Sequence, residues 1–385
     1  MPKLADPEGT RRLRVSLLTL HRVKNYGSVL QTFASQHMLR SLGHDVIVTD
    51  YWRPDLTDSI DDIATRMGWS SPLRRRIYKM VWSKWATRNR IVFNDFLEAN
   101  IVLTGRSYVG YEELVADPPD ADLYVVGSDQ VWNDDYNVGG SEPYFLAHVP
   151  QGAPRFAFSS SFGKAELSTR EQDLVQRELR KFRAISVRET SAVEILAGFG
   201  IEAEPVADPI LAVDPRAWDE IAPPEATTEN YVLAYCLNPG REFDRVLQEV
   251  AASLGIRSKR IALKTRRPST NRYVVQPTVY EFVNLFRNAR HVVTDSFHGT
   301  VFSLVFNRPF TIVLPPKYGE RILSILRYLR LEDRVVSSGV LPLLAEVDWT
   351  DVNKGIDEYR LATRTFLARV TELGAGPSAQ DRGAE

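Results

Sequence analysis

The sequence predicts an α/β protein of two domains built on parallel strands. Short apolar runs recur along the chain, and each ends in a small polar cluster that leads into a helical pattern. The length of 385 residues suits two domains of similar size. A proline-punctuated stretch at residues 205–216, with Asp208-Pro209 and Asp214-Pro215, separates two such series and reads as an interdomain connection.

In the first series, residues 15–20 form a strand, Asn25-Tyr26-Gly27-Ser28 a turn, residues 29–41 an amphipathic helix ending before Gly43, and residues 44–49 a second strand. Such a unit binds anions at its helix start, although one glycine falls far short of a dinucleotide fingerprint. Asn25, Tyr26 and Gly27 are candidate contacts, since a residue without a side chain lets acceptor or phosphate approach the backbone closely. A tight turn with no ligand is the competing reading. A helical, basic insert occupies residues 55–107, with Trp82, Trp85, Phe93 and Phe96 at spacings typical of a core stripe. The strand at 123–126 runs into Gly127-Ser128-Asp129-Gln130-Val131-Trp132-Asn133, that at 155–159 into Ser160-Ser161-Phe162-Gly163, and that at 184–187 into Arg188-Glu189-Thr190-Ser191 and the helix 192–197. Polar clusters at successive strand ends are what a sheet-edge active site produces.

The second series runs through a strand at 231–237, a helix at 242–254, a strand at 260–263 and a helix at 279–288 to the stretch TDSFHGTVFSLVFNRPF, which begins at Thr294. This reads as a strand end, a polar turn holding Ser296, His298 and Gly299, an apolar helix from 301 to 306, and a strand after Pro309. Asp295, Ser296 and His298 then lie beyond the carboxyl end of a strand, where a histidine acts as acid or base near neutral pH. Helix capping by Asp295 or Ser296 is the structural alternative. A loop carrying Lys317 precedes a helix at 321–328, and a helix at 353–373 is long enough to cross back to the first domain. The expected division is a first domain at 11–210, a second at 211–350, the crossing helix at 351–374 and a disordered polar tail at 375–385.

Composition narrows the function. With 44% apolar and 25% charged residues the chain is an ordinary globular protein, and a net charge of −1 gives no bulk case for nucleic acid despite the clusters at 74–76 and 264–267. The single cysteine, Cys236, excludes an intramolecular disulfide and a cysteine-based zinc cage. The first residues lack the apolar core of a signal peptide, and the run at 15–20 is too short to span a bilayer. A cytoplasmic location is expected.

Taken in order, NYGSVLQTFA, GSDQVWN, SFG, SVRETSAVEIL, ADP, TDSFHGTVFSLVFNRPF and a downstream Arg321 resemble the polysaccharide pyruvyl transferase family from about residue 15 to residue 330. The resemblance implies a glycosyltransferase-B-like architecture, with two Rossmann-like domains facing a cleft. It also implies transfer of the enolpyruvyl unit of phosphoenolpyruvate to two hydroxyls of one sugar, giving a cyclic pyruvate ketal and phosphate. That donor carries a phosphate and a carboxylate, so its site needs forked cations and helix N-termini, with no intrinsic need for a metal or other cofactor.

Arg188 matches an arginine the family implicates in its active site; Arg321 is a second candidate and Lys317 a third. His298 matches the family's histidine and is the candidate general acid or base. Asp295 is expected to orient it or a sugar hydroxyl, while Ser296 and the Gly299 and Thr300 backbone would cradle phosphate. Asp129 is a rival base or an acceptor contact, beside Ser128, and Trp132 a stacking face for the sugar or a core aromatic. The acceptor is a carbohydrate, free or lipid-linked, and the basic aromatic region at 73–90 is a candidate for peripheral contact with an anionic membrane. A nucleotide-sugar glycosyltransferase and a non-catalytic carbohydrate-binding protein are the alternatives on this architecture.

Overall fold

The structure is a computed structural model that describes residues 12–54, 56, 71–137, 140–224, 229–263, 270, 272–336, 344 and 346–375; the side chains of 74, 75, 77–85 and 375 are outside the description. The expectations for the side chains of Trp82 and Trp85, for the 264–267 cluster and for the tail beyond residue 375 therefore fall outside the described residues, as does most of the candidate membrane-contact surface.

The strands are β1 (Arg14–Leu18), β2 (Asp45–Val48), β3 (Tyr51–Trp52), β4 (Tyr108–Val109), β5 (Leu123–Val126), β6 (Arg155–Ser160), β7 (Ala184–Val187), β8 (Glu204–Pro205), β9 (Tyr231–Tyr235), β10 (Arg257–Ala262), β11 (Tyr273–Val275), β12 (His291–Thr294) and β13 (Phe310–Ile312). One sheet has the order β2-β1-β5-β6-β7-β8 and the other β11-β10-β9-β12-β13, every pair being parallel. β3 and β4 form a short parallel pair. In the second sheet the order reverses direction between β9 and β12, the Rossmann switch point, and in the first between β1 and β5. The result is an α/β fold of two Rossmann-like parallel sheets.

Alternation along the strands assigns each side chain to a layer. On β9, Tyr231, Leu233 and Tyr235 enter one core while Val232 and Ala234 enter a separate outer one; on β5, Leu123 and Val125 are parted in the same way from Tyr124 and Val126. The first core is common to both sheets, holding Val15, Leu17, Val125 and Phe156 together with Leu233, Val292 and Ile312.

Between the sheets lies α1 (Tyr26–Ser41), buried on every side along residues 26–36 because it packs against both halves. Phe93 and Phe96 of α2 (Pro72–Asn100) join this core, so the expected aromatic stripe is packing. On the first domain α3 (Tyr111–Ala116), α4 (Thr169–Glu178) and α5 (Thr190–Gly198) follow; α4 opens with a capping box between Ser168 and Glu171. Next come α6 (Pro209–Ala212) and α7 (Arg216–Ile221), then α8 (Arg241–Leu254), α9 (Val279–Arg287), α10 (Phe297–Val305), α11 (Glu320–Leu329) and α12 (Trp349–Ala375). α12 does return to the first domain: Arg183 Nη1 donates to the Leu373 carbonyl at 2.7 Å, Thr363 Oγ1 accepts from the Ala207 amide, and Arg369 pairs with Glu204.

Candidate active site

Two stretches expected to be polar turns are the first turns of helices. α1 starts at Tyr26, with Asn25 in extended backbone and its side chain accepting from the Gly27 amide at 2.9 Å. α10 starts at Phe297, capped by Ser296, whose Oγ accepts from the Gly299 amide at 3.4 Å. The Thr300 amide and hydroxyl both donate to the Ser296 carbonyl. Gly299 seats the helix against its own strand, since a Cβ there would stand within 3.0 Å of Thr294 Oγ1. The expected cradle of Gly299 and Thr300 amides is thus corrected, because both are committed within the helix start. Among the described residues, the Phe297 and His298 amides are the α10 donors left for an anion.

His298 is buried, and its Nε2 is enclosed without a hydrogen-bond partner. Burial drives its pKa down to about 4; Asp208 and Asp129 oppose that shift and Arg188 and Arg321 reinforce it. The ring is therefore neutral at pH 7 and can accept a proton.

Arg188 follows β7 and is almost fully enclosed. Its Nη1 donates to Asp208 Oδ2 at 2.9 Å, its Nη2 lies 3.6 Å from Asp129 Oδ1, and Nε and Nη2 have no hydrogen-bond acceptor. Burial disfavours the cation, but Asp208, Asp129 and Glu189 outweigh it and hold the pKa above the ordinary arginine value. Asp129 also accepts from Ser28 Oγ at 2.6 Å. Burial alone would raise its pKa, whereas Arg188, His298, Ser28 and Arg321 together hold it well below the usual carboxylate range. Its backbone φ of 79° is in the left-handed region, where aspartate is among the few residues tolerated.

Arg188 lies over the face of Phe297 at 4.5 Å and Arg321, at the start of α11, approaches the same ring at 5.4 Å. Arg321 has no carboxylate partner among the described residues, and its Nε is enclosed and unpaired. Burial and the neighbouring Arg188 lower its pKa to about 10 against the pull of Asp129, Glu189 and Tyr136. Two guanidiniums and a neutral imidazole thus share one apolar ring, and one of the two cations, Arg321, makes no direct ion pair among the described residues.

The family model described as polysaccharide pyruvyl transferase matches residues 25–315, which takes in every residue of this cluster except Arg321. The chain belongs to the polysaccharide pyruvyl transferase family. No curated protein sequence matches it. Solved structures similar to this chain include a putative UDP-N-acetylglucosamine 2-epimerase from Listeria monocytogenes (10% identity, 91% of each chain covered, TM-score 0.48). Others are the UDP-GlcNAc 2-epimerase from Neisseria meningitidis bound to UDP-GlcNAc (10% identity, 94% of this chain and 97% of that one, TM-score 0.45) and the glycosyltransferase SnogD from Streptomyces nogalater (13% identity, 95% and 98%, TM-score 0.40).

Several candidate residues of this chain have other duties. Trp132 is fully enclosed between Phe145 and Phe162, its indole N–H donating to the Tyr144 carbonyl at 3.0 Å, so no sugar can stack on it. Tyr26 lies flat against Phe282 of the second domain at 4.2 Å and donates to the Pro277 carbonyl, which makes it a strut between domains. The Asp295 carboxylate accepts from the Leu237 amide at 2.7 Å, the Asn238 amide at 2.6 Å and Asn238 Nδ2 at 3.1 Å; it ties the ends of β9 and β12 together and does not orient His298. Ser128 is buried and donates to Asp208 at 3.2 Å. Lys317 is exposed on the loop after β13.

Conversely, Asp208, Phe297 and Ser28 belong to the cluster although they are not among the candidates read from the sequence. For Asp208 a signal exists: Asp208-Pro209 before an apolar run is an N-cap with proline at the first helical position, the role it has at α6. Beside the cluster, Tyr318 of the second domain donates to Asp135 of the first at 2.9 Å and packs against the half-exposed Tyr136 at 5.2 Å between ring centres.

Proposed function

We propose that this chain transfers the enolpyruvyl unit of phosphoenolpyruvate to two hydroxyls of one sugar. The observation that carries the reading is Arg321, a cation with no direct carboxylate partner among the described residues, held beside the ion-paired Arg188 and near the unpaired Nε2 of His298. A guanidinium that no carboxylate bonds directly suits a ligand bearing phosphate and carboxylate, which the free amides at the start of α10 also favour. In the first step a sugar hydroxyl oxygen bonds to C2 of the donor while the C2–C3 π pair takes a proton at C3, converting the methylene to a methyl. In the second, a neighbouring hydroxyl displaces phosphate from C2, closing the ketal. Of the two hydroxyl protons consumed, one balances the new methyl and the other leaves with phosphate. His298, neutral at pH 7, accepts the hydroxyl proton, and Asp129 with Arg188 fixes the charge around it.

The acceptor is a carbohydrate, and the reaction takes place in the cytoplasm. Among the described residues no helix is long and apolar enough to cross a membrane. The test is phosphate release from phosphoenolpyruvate over a panel of hexosides, with mass spectrometry for a ketal and His298→Ala as control. Acceptor-dependent release with a ketal product supports the reading. Binding of nucleotide sugars with no affinity for phosphoenolpyruvate overturns it in favour of a glycosyltransferase.

A further inference from the structure

Gly27 stands in the first turn of α1 at a φ outside the left-handed region, so the backbone does not ask for glycine there, and glycine is a poor helix former. What the position requires is space. A Cβ built on Gly27 would lie within 3.0 Å of Nδ1, Cγ and Cε1 of His298, a contact that crosses from the first domain to the second. The ring has little freedom to retreat, being buried and held edge-on to Phe297 at 5.4 Å. The next residue, Ser28, donates to Asp129. One half-turn of α1 therefore touches both candidate proton-handling groups.

We infer that Gly27 is a positioning residue: its bare Cα is the wall that sets the orientation of the His298 imidazole and leaves Nε2 as the ring nitrogen without a hydrogen-bond partner. The partly positive start of α1 stands behind Nδ1 and disfavours the imidazolium, as burial does. The charged groups facing the ring are Asp208 and Asp129, which favour protonation, and Arg188 and Arg321, which oppose it. The catalytic role of His298 rests on the function proposed above; the packing relation does not.

A double-mutant cycle of Gly27→Ala and His298→Ala, read by thermal unfolding, tests the inference. In the parent, Gly27→Ala is expected to lower Tm, to move the His298 titration followed by NMR, and to cut acceptor-dependent phosphate release by roughly 100-fold, the cost of a misplacement near 1 Å. In the His298→Ala background the same change should leave Tm equal or higher, since the ring is gone and alanine favours the helix. If Gly27→Ala alone does not fold, recovery of folding in the double variant supports the inference equally. An equal loss of Tm in both backgrounds, a double variant that also fails to fold, or an unmoved His298 titration with parental turnover overturns the inference. Absence of turnover with phosphoenolpyruvate in the parent would remove the proposed function, while the unfolding cycle and the titration still decide the role of Gly27.

Discussion

Replacing Arg321 by methionine is expected to stabilise the protein while abolishing its affinity for phosphoenolpyruvate. Burial and Arg188 bring the Arg321 pKa from 12.5 to about 10. At about 1.36 kcal/mol per pH unit, the cost of keeping this cation charged in the fold is about 3 kcal/mol, or roughly 1–2 kcal/mol once discounted for the exposed part of the side chain. Because the folded-state pKa lies below the unfolded one, the cost is present in full at pH 7 and fades only above about pH 10. Methionine keeps an apolar contact on Phe297 and removes the charge. Urea unfolding at pH 7 should therefore show a gain of about 1 kcal/mol or more. Phosphoenolpyruvate at ten times its Kd should stabilise the parent by about 1.4 kcal/mol and the variant not at all. A loss of stability would mean that Arg321 is held by a structural partner, and a ligand effect equal to the parent's would refute the anion site.

The contrasting change, Arg188→Met, leaves Asp208 and Asp129 buried without their counter-charge and should cost about 3–5 kcal/mol in urea unfolding, so the two arginines differ in sign of effect. His298 should titrate near pH 4 by NMR in the free protein and move toward neutrality when phosphoenolpyruvate binds; its contribution to stability is complete above pH 6.5 and is lost as pH falls from 6.5 toward 4. Trp132→Ala should lower stability by about 3–5 kcal/mol through loss of core packing, whereas Trp132→Phe should leave the KM for the acceptor unchanged; a raised KM in a folded Phe variant would return this residue to the sugar site.

Parallel strands, their order of appearance and the crossing helix are legible because each leaves a periodic apolar signal, and the structure brings Asp129, Arg188, His298 and Arg321 together from separate strand ends and helix starts. The departures from expectation share a cause. Glycine in a polar context reads as turn punctuation, yet Gly27 and Gly299 are helical and exist to admit His298 and Thr294, neighbours that only the folded chain supplies. Trp132 and Tyr26 resemble ligand contacts because they sit in polar motifs. Burial is decided by what packs from other elements, here Phe145, Phe162 and Phe282. Asp208 reads as linker because the helix it caps, α6, is only four residues long.

The apolar core common to both sheets has a consequence for how such chains can diversify. Tyr26 and Phe33 of the first domain meet Phe282 and Trp218, and Asn100 bonds the Tyr280 hydroxyl, so the halves are joined by side chains as well as by the connecting peptide. A hybrid that joins the first half of this chain to the second half of a relative after α6 would bring together faces that never packed on each other. Exchange of acceptor preference between relatives must therefore proceed through the loops beyond the strand ends, with α1, α9 and α10 transferred as one unit or left alone.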